Sequence, residues 1–196
     1  LPDASPQILL KLENLQPIGS FKLRGAANAM AVAGPAALAN GVYTASAGNM
    51  AQGLAWSARQ IGVRCRVVVP ETAPQTKIAA IERLGGEVIK VPFEAWWQTM
   101  LDHHYPGIEG LFIHPCADAA VMAGNGTIGL EILEDAPDVA AIVVPYGGGG
   151  LSCGIASAVR ASAGSTGNRA PSLSCSVSAA LTTGGVPSTD FGKYMG

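Results

Sequence analysis

The chain has 196 residues, 48% of them hydrophobic and 13% charged, with a mean hydropathy of +0.30. It can therefore bury a sizeable core, which excludes a peptide or a disulfide-stapled miniprotein. A formal net charge of −2 without a Lys/Arg cluster gives no electrostatic footprint for nucleic acid or an anionic membrane, so a small-molecule partner is expected. No run approaches the length of a membrane helix, and the start of the chain does not read as a signal peptide. Cys65, Cys116, Cys153 and Cys175 are scattered without metal-ligand spacing and read as free thiols, so no metal is expected and the cytoplasm is the expected compartment.

In chain order, apolar runs at 8–13, 42–45, 64–69, 87–91, 111–114 and 140–144 predict strands. The stretches 21–33, 49–61, 76–84, 93–104, 127–134 and 151–163 between them predict helices. This alternation is the pattern of βαβ units, hence an α/β fold with parallel sheets and flanking helices. The strand runs are apolar throughout, as expected where helices cover both faces. From Ser162 onward Ser, Thr, Gly and Pro dominate, and after a short run at 172–177 no further element is predicted. A wound sheet needs later strands beside its earlier ones, so an incomplete or aberrant C-terminal end is expected.

Three segments carry chemistry. In KLENLQPIGSFKLRGA (11–26) the stretch GSFKLRGA (19–26) follows the first predicted strand and a turn, which places Lys22 in the first turn of a helix, at a strand's carboxyl end, where open α/β sheets bind ligands. A cation is disfavoured there by the positive end of the helix dipole, which also favours a neutral amine. The ordinary reading of such a lysine taken alone is a solvated helix residue. SAGNMAQG (46–53) joins a strand to a helix, and its small residues let backbone amides face a ligand, although Ser46 or Asn49 could equally be a simple N-cap. PYGGGGLSCG (145–154) puts four consecutive glycines at a strand's end before a helix, a natural seat for a phosphate, but matches neither a P-loop nor a dinucleotide fingerprint.

In that order the three segments resemble fold-type II pyridoxal-phosphate enzymes of the threonine/serine dehydratase (ammonia-lyase) family, over roughly residues 8–160. The resemblance implies a two-domain architecture: 1–43 with 122–196 as a larger cofactor-binding domain, incomplete at its C-terminal end, and 44–121 as a smaller domain carrying the substrate loop. It implies that Lys22 forms the Schiff base with pyridoxal 5'-phosphate and removes the substrate's α-proton. Phe21 would pack on the pyridine ring, and Asn49 would hydrogen-bond the cofactor's phenolic oxygen. Gly147, Gly148, Gly149, Gly150 and Leu151 would hold its phosphate. Ser46, Ala47, Gly48 and Asn49, with Gln52, would bind the substrate carboxylate. The implied reaction is conversion of a β-hydroxy amino acid, threonine or serine, to a 2-keto acid and ammonia. A homodimer is expected by analogy alone. The alternative expectation is a catalytically silent or regulatory homologue that binds cofactor or phosphate weakly.

Two departures from the family are visible. Ala47 stands where serine racemases carry a second base, which favours a lyase over a racemase. Met50 replaces a usual histidine and cannot make a strong hydrogen bond. AGNGTIGLEILE (123–134) also resembles the family, in an architectural role, so Glu131 and Glu134 are not expected to be catalysts. His103, His104 and His114 read as surface or packing residues, and Trp56, Trp96 and Trp97 as core or interface. No carboxylate occurs at 172–181, so no cation site is expected there.

Overall fold

A computed structural model describes residues 7–166 and 170–177. The elements are α1 (Lys22–Ala37), β1 (Val42–Ala45), α2 (Asn49–Gln60), β2 (Cys65–Pro70), α3 (Gln75–Arg83) and β3 (Gly86–Val91). They continue as α4 (Phe93–Asp102), β4 (Leu111–Phe112), α5 (Ala119–Asp135), β5 (Ala141–Tyr146), α6 (Gly150–Thr166) and β6 (Ser172–Val177). One parallel sheet runs β3-β2-β1-β4, and a second pairs β5 with β6, also in parallel. The reading of the tail beyond Val177, including 178–181, lies outside the described residues.

The first sheet explains why its strands lack alternation. Cys65, Val67 and Val69 of β2 enter one core with Met50, Leu54 and Ile81, while Val68 and Tyr43 enter another with Val91 and Trp96. Both pleat faces are covered, so both must be apolar, and each fully buried Val or Leu contributes about 2 kcal/mol. A third core joins Ile142 and Val144 of β5 to Ile128, Ile155 and Val159 of α5 and α6. Here the expectation of two covered faces fails among the described residues. Val143 is 68% exposed because α5 and α6 lie on one side of this sheet and no described element lies on the other.

The predicted strand at 8–13 does not form. Residues 7–12 carry no regular structure, Glu13–Leu15 make a 3-10 turn, and no described strand lies alongside to take their backbone hydrogen bonds. Ile8 and Leu10 are therefore 82% and 78% exposed. The segment is held by charge instead. Arg24 forks onto Glu13 (2.8 Å) and Glu131 (2.5 Å), and Lys11 reaches Glu131 (2.8 Å) and Asp135 (3.0 Å). Glu131 is thus structural, as expected from its architectural reading, and its two cationic partners hold its carboxyl down at about 2.

Helix boundaries follow local chemistry. Gly34, at φ +75°, interrupts α1 at the predicted end, and Pro35 starts one more turn. The helix predicted at 127–134 begins earlier, at Ala119, because Asp118 caps it by accepting from the amides of Ala120 (2.8 Å) and Val121 (3.1 Å). Small residues then let helices pack closely. A Cβ on Gly25 would lie 2.7 Å from Val121, and one on Gly126 would lie 2.9 Å from the Gly154 carbonyl. These contacts bring α1, α5 and α6 together, which brings Lys22 near the glycine run.

Candidate active site

Because the strands of each sheet are parallel, their carboxyl ends lie on one side, and three connecting loops leave from there. The 46–48 loop leaves β1, residues 113–118 leave β4, and the glycine run leaves β5. Lys22 opens α1 among them. Its main-chain amide donates to Ser20 Oγ (3.3 Å), and α2 presses on its backbone: a Cβ on Gly53 would lie 3.2 Å from the Lys22 carbonyl. Its Nζ donates to the Pro115 carbonyl at 2.6 Å and stands 5.4 Å from the Phe21 ring centroid. Burial pushes the amine below the usual lysine range. The solvated-lysine reading is therefore wrong for this helix terminus: Lys22 reaches inward, where burial disfavours its charged form.

The loop after β4 also meets the glycine run. A Cβ on Gly148 would lie 2.5 Å from Cys116 Sγ, and one on Gly150 would lie 2.5 Å from the Cys116 carbonyl. Space on this side of the run is thus filled by the chain itself. Gly147, in contrast, faces open space. Gly149 has φ +82°, and its carbonyl accepts from the Cys153 amide (2.9 Å) and Ser152 Oγ (3.0 Å), turning it into α6. Among the described residues no acceptor meets the amides of Gly148 and Gly149. Free amides, absent side chains and the start of a helix form a cradle that fits a phosphate. A lysine with a depressed pKa beside this cradle fits the aldehyde-bearing cofactor that the sequence implies. Asn125, fully buried, donates to the Gly150 carbonyl (3.3 Å) and fixes the run from behind.

The 46–49 loop is shaped by its own hydroxyl. Ser46 Oγ accepts from the Gly48 amide (3.2 Å), while Asn49 begins α2 with its side chain exposed. Ala47 is half-buried against the first core, and Gln52 is half-buried one turn into the helix. Met50 is 2% exposed within that core. Its sequence departure is therefore a packing choice and places no group at the ligand face. Phe21 and Leu151 both pack on the third core, so Leu151 can offer the cradle only its backbone.

What sequence reasoning missed is the turn His114–Ala117. Its carbonyl at Pro115 meets Lys22, and its Cys116 meets the glycines. The one available signal was local: a histidine before proline, followed by an Asp that could cap a helix. His114, expected to be a surface or packing residue, is half-buried and accepts through Nδ1 from the amides of Cys116 (3.0 Å) and Ala117 (2.8 Å). Burial and the neighbouring His103 push it down to about 4. Among the described residues no group of three His, Cys, Asp or Glu side chains could hold a metal ion. Nor is any helix there long and apolar enough to cross a membrane.

Comparison with known proteins agrees with this geometry. L-threonine ammonia-lyase of Geobacter sulfurreducens is 50% identical over 156 residues, covering 78% of this chain and 38% of the relative. Its counterpart in Thermotoga maritima is 45% identical over 157 residues, covering 79% of this chain and 39% of the relative. This chain thus spans less than half the length of those relatives. Among solved structures, serine racemase from Dictyostelium discoideum superposes with a TM-score of 0.74 at 36% identity, covering 85% of this chain and 53% of that one. The family described as Pyridoxal-phosphate dependent enzyme matches residues 2–185, and the chain belongs to that family.

Proposed function

We propose that the chain carries the lysine, substrate loop and phosphate cradle of an ammonia-lyase that converts a β-hydroxy amino acid of the threonine or serine type to a 2-keto acid and ammonia. The observation that carries this reading is the inward, desolvated Lys22 amine beside a glycine cradle with free amides. The half-buried Ala47 offers no second base on the opposite face of an α-carbon, which supports a lyase over a racemase.

Pyridoxal phosphate, when bound, supplies the electron sink that spreads the charge left on the α-carbon. The chain's own residues bind and move protons. Gly147, Gly148, Gly149, Gly150 and the Leu151 amide would hold the phosphate, Asn49 would hold the phenolic oxygen, and Phe21 would flank the ring. Ser46 and the amides of Ala47, Gly48 and Asn49, with Gln52, hold the substrate carboxylate. The neutral Lys22 takes the α-proton. Loss of the β-hydroxyl with a proton releases water, and hydrolysis of the resulting enamine returns that water and frees ammonia. We assign 1–43 with 122–196 to the cofactor lobe and 44–121 to the substrate lobe. The two sheets fall on either side of that division except for β1, which straddles its first boundary. The free thiols of Cys65, Cys116 and Cys153 support a reducing compartment, the cytoplasm. A homodimer is proposed by analogy alone.

A second reading, a silent or regulatory homologue, is favoured by Met50, which lies in the core and places no group at the ligand face. One experiment separates the two. Purified chain is mixed with pyridoxal phosphate, its visible spectrum recorded before and after borohydride, and keto-acid release from threonine and serine measured, with Lys22→Ala as control. A bleachable band with the label on Lys22, together with keto acid, establishes the lyase. The band without keto acid establishes the silent homologue. No band, or one unchanged in Lys22→Ala, overturns the lyase and leaves the silent homologue.

A further inference from the structure

The segment from β4 to α5 is pinned at both ends. The Ile113 amide donates to the Tyr43 carbonyl (2.9 Å), and Asp118 caps α5. Between these anchors Pro115 has no amide hydrogen, and the amides of Cys116 and Ala117 both end on one side-chain atom, His114 Nδ1. An atom that accepts two N–H groups carries no proton, so the ring is neutral with its hydrogen on Nε2. The ring is itself held, 4.8 Å from His103 and 6.2 Å from Phe112 between centroids. The titratable groups facing it are His103, Lys22 and Asp118, of which His103 and Lys22 oppose its protonation and Asp118 favours it.

The fold requires no such clamp at this point, since a tight turn between a strand and a capped helix closes with many sequences. What the clamp adds is a direction for one carbonyl. Pro115 O takes a hydrogen from Lys22 Nζ, and among the described residues this is the one hydrogen bond that orients the amine, which also stands over the Phe21 ring. The same turn touches Gly148 and Gly150 through Cys116, so the amine and the phosphate cradle share one support.

We propose that His114 is a positioning residue for Lys22: its Nδ1 gathers the amides of Cys116 and Ala117, and the turn so formed aims the Pro115 carbonyl that seats the lysine amine. This deepens the function proposed above and rests on it for its importance, but the seat itself can be tested without cofactor.

The test is trace acetylation of the cofactor-free chain by acetic anhydride at mildly alkaline pH. Mass spectrometry reads Lys22 relative to the exposed Lys77 in wild type, His114→Asn and His114→Leu. The Asn oxygen can replace Nδ1 as acceptor, whereas Leu keeps bulk and removes the acceptor. Releasing Lys22 from its seat is expected to raise its relative labelling about fivefold in the Leu variant, the size of one net hydrogen bond. The Asn variant should stay within about twofold of wild type. Equal labelling in all three chains, or equal shifts in both variants, overturns the proposal. Should the Leu variant fail to fold by circular dichroism, amide exchange in wild type decides. Protection of the Cys116 and Ala117 amides supports the clamp, and exchange at unstructured-chain rates overturns it. A chain that binds no pyridoxal phosphate still reports on the seat, so the two proposals fail separately.

Discussion

The glycine run contains two positions that sequence cannot tell apart and structure can. Replacing Gly150 by alanine puts a Cβ 2.5 Å from the Cys116 carbonyl, 3.2 Å from its Cα and 3.3 Å from its carbonyl carbon, where 3.4–4 Å is ordinary contact. All three neighbours are main chain, so no rotamer relieves the overlap, and either the run or the 114–117 turn must shift by about 1 Å. Overpacking of this kind costs about 1–3 kcal/mol. Gly147→Ala meets nothing within 4 Å and has no left-handed φ, so it should be neutral or slightly stabilising through the unfolded state. At this chain length each kcal/mol moves Tm by about 2–4 °C, so Gly150→Ala should melt roughly 2–12 °C lower while Gly147→Ala stays close to wild type. Thermal unfolding followed by circular dichroism reads both variants. Pyridoxal phosphate titration of Gly150→Ala should show a weakened Kd, because the displaced backbone carries the cradle amides. Equal melting temperatures for the two variants would refute the close approach of Cys116 to the run.

Other outcomes follow from single contacts. Asp118→Ala removes the cap of α5 and should cost about 1 kcal/mol, seen as a Tm lower by a few degrees; an unchanged Tm would mean that the cap adds nothing. Glu131 is depressed to about 2 by Arg24 and Lys11, so its stabilisation is present above its unfolded pKa, near 4.3, and is lost as pH falls through the folded value. Its side chain is 38% exposed, so after screening the effect is roughly 1 kcal/mol. The stability gap between wild type and Glu131→Gln should therefore shrink in denaturant melts between about pH 5 and pH 2; a constant gap argues against the network. Cys65 is buried and its thiol is pushed up to about 12, whereas Cys153 is exposed. Iodoacetamide should thus label Cys153 in the folded chain and Cys65 only after unfolding. Comparable native rates at the two sites would contradict the burial of β2.

Much of the fold was legible because its signals are local. VYTA, the apolar run at 64–69 and the helix opening at Asn49 stand within a residue of where pattern places them, since a strand covered on both faces must be apolar along its whole length. The strand expected at 8–13 failed for the opposite reason: an apolar run becomes a strand only when a neighbour takes its hydrogen bonds, and that neighbour is not a property of the run. Likewise, β5 reads like β2 in sequence, yet α5 and α6 cover only one side of it.

The site divides in the same way. By itself the sequence determined which residue types stand at the three strand ends, a lysine opening a helix, a small-residue loop and four glycines, because motif chemistry is carried in contiguous residues. It could not show that Met50 turns into the core, that Lys22 turns away from solvent to the Pro115 carbonyl, or that His114 gathers two amides behind it. Those facts depend on chain segments some 90 residues apart meeting through helix packing at Gly25, Gly126 and Gly154. Contacts at such separation are set by how elements pack in three dimensions, which only the tertiary structure decides.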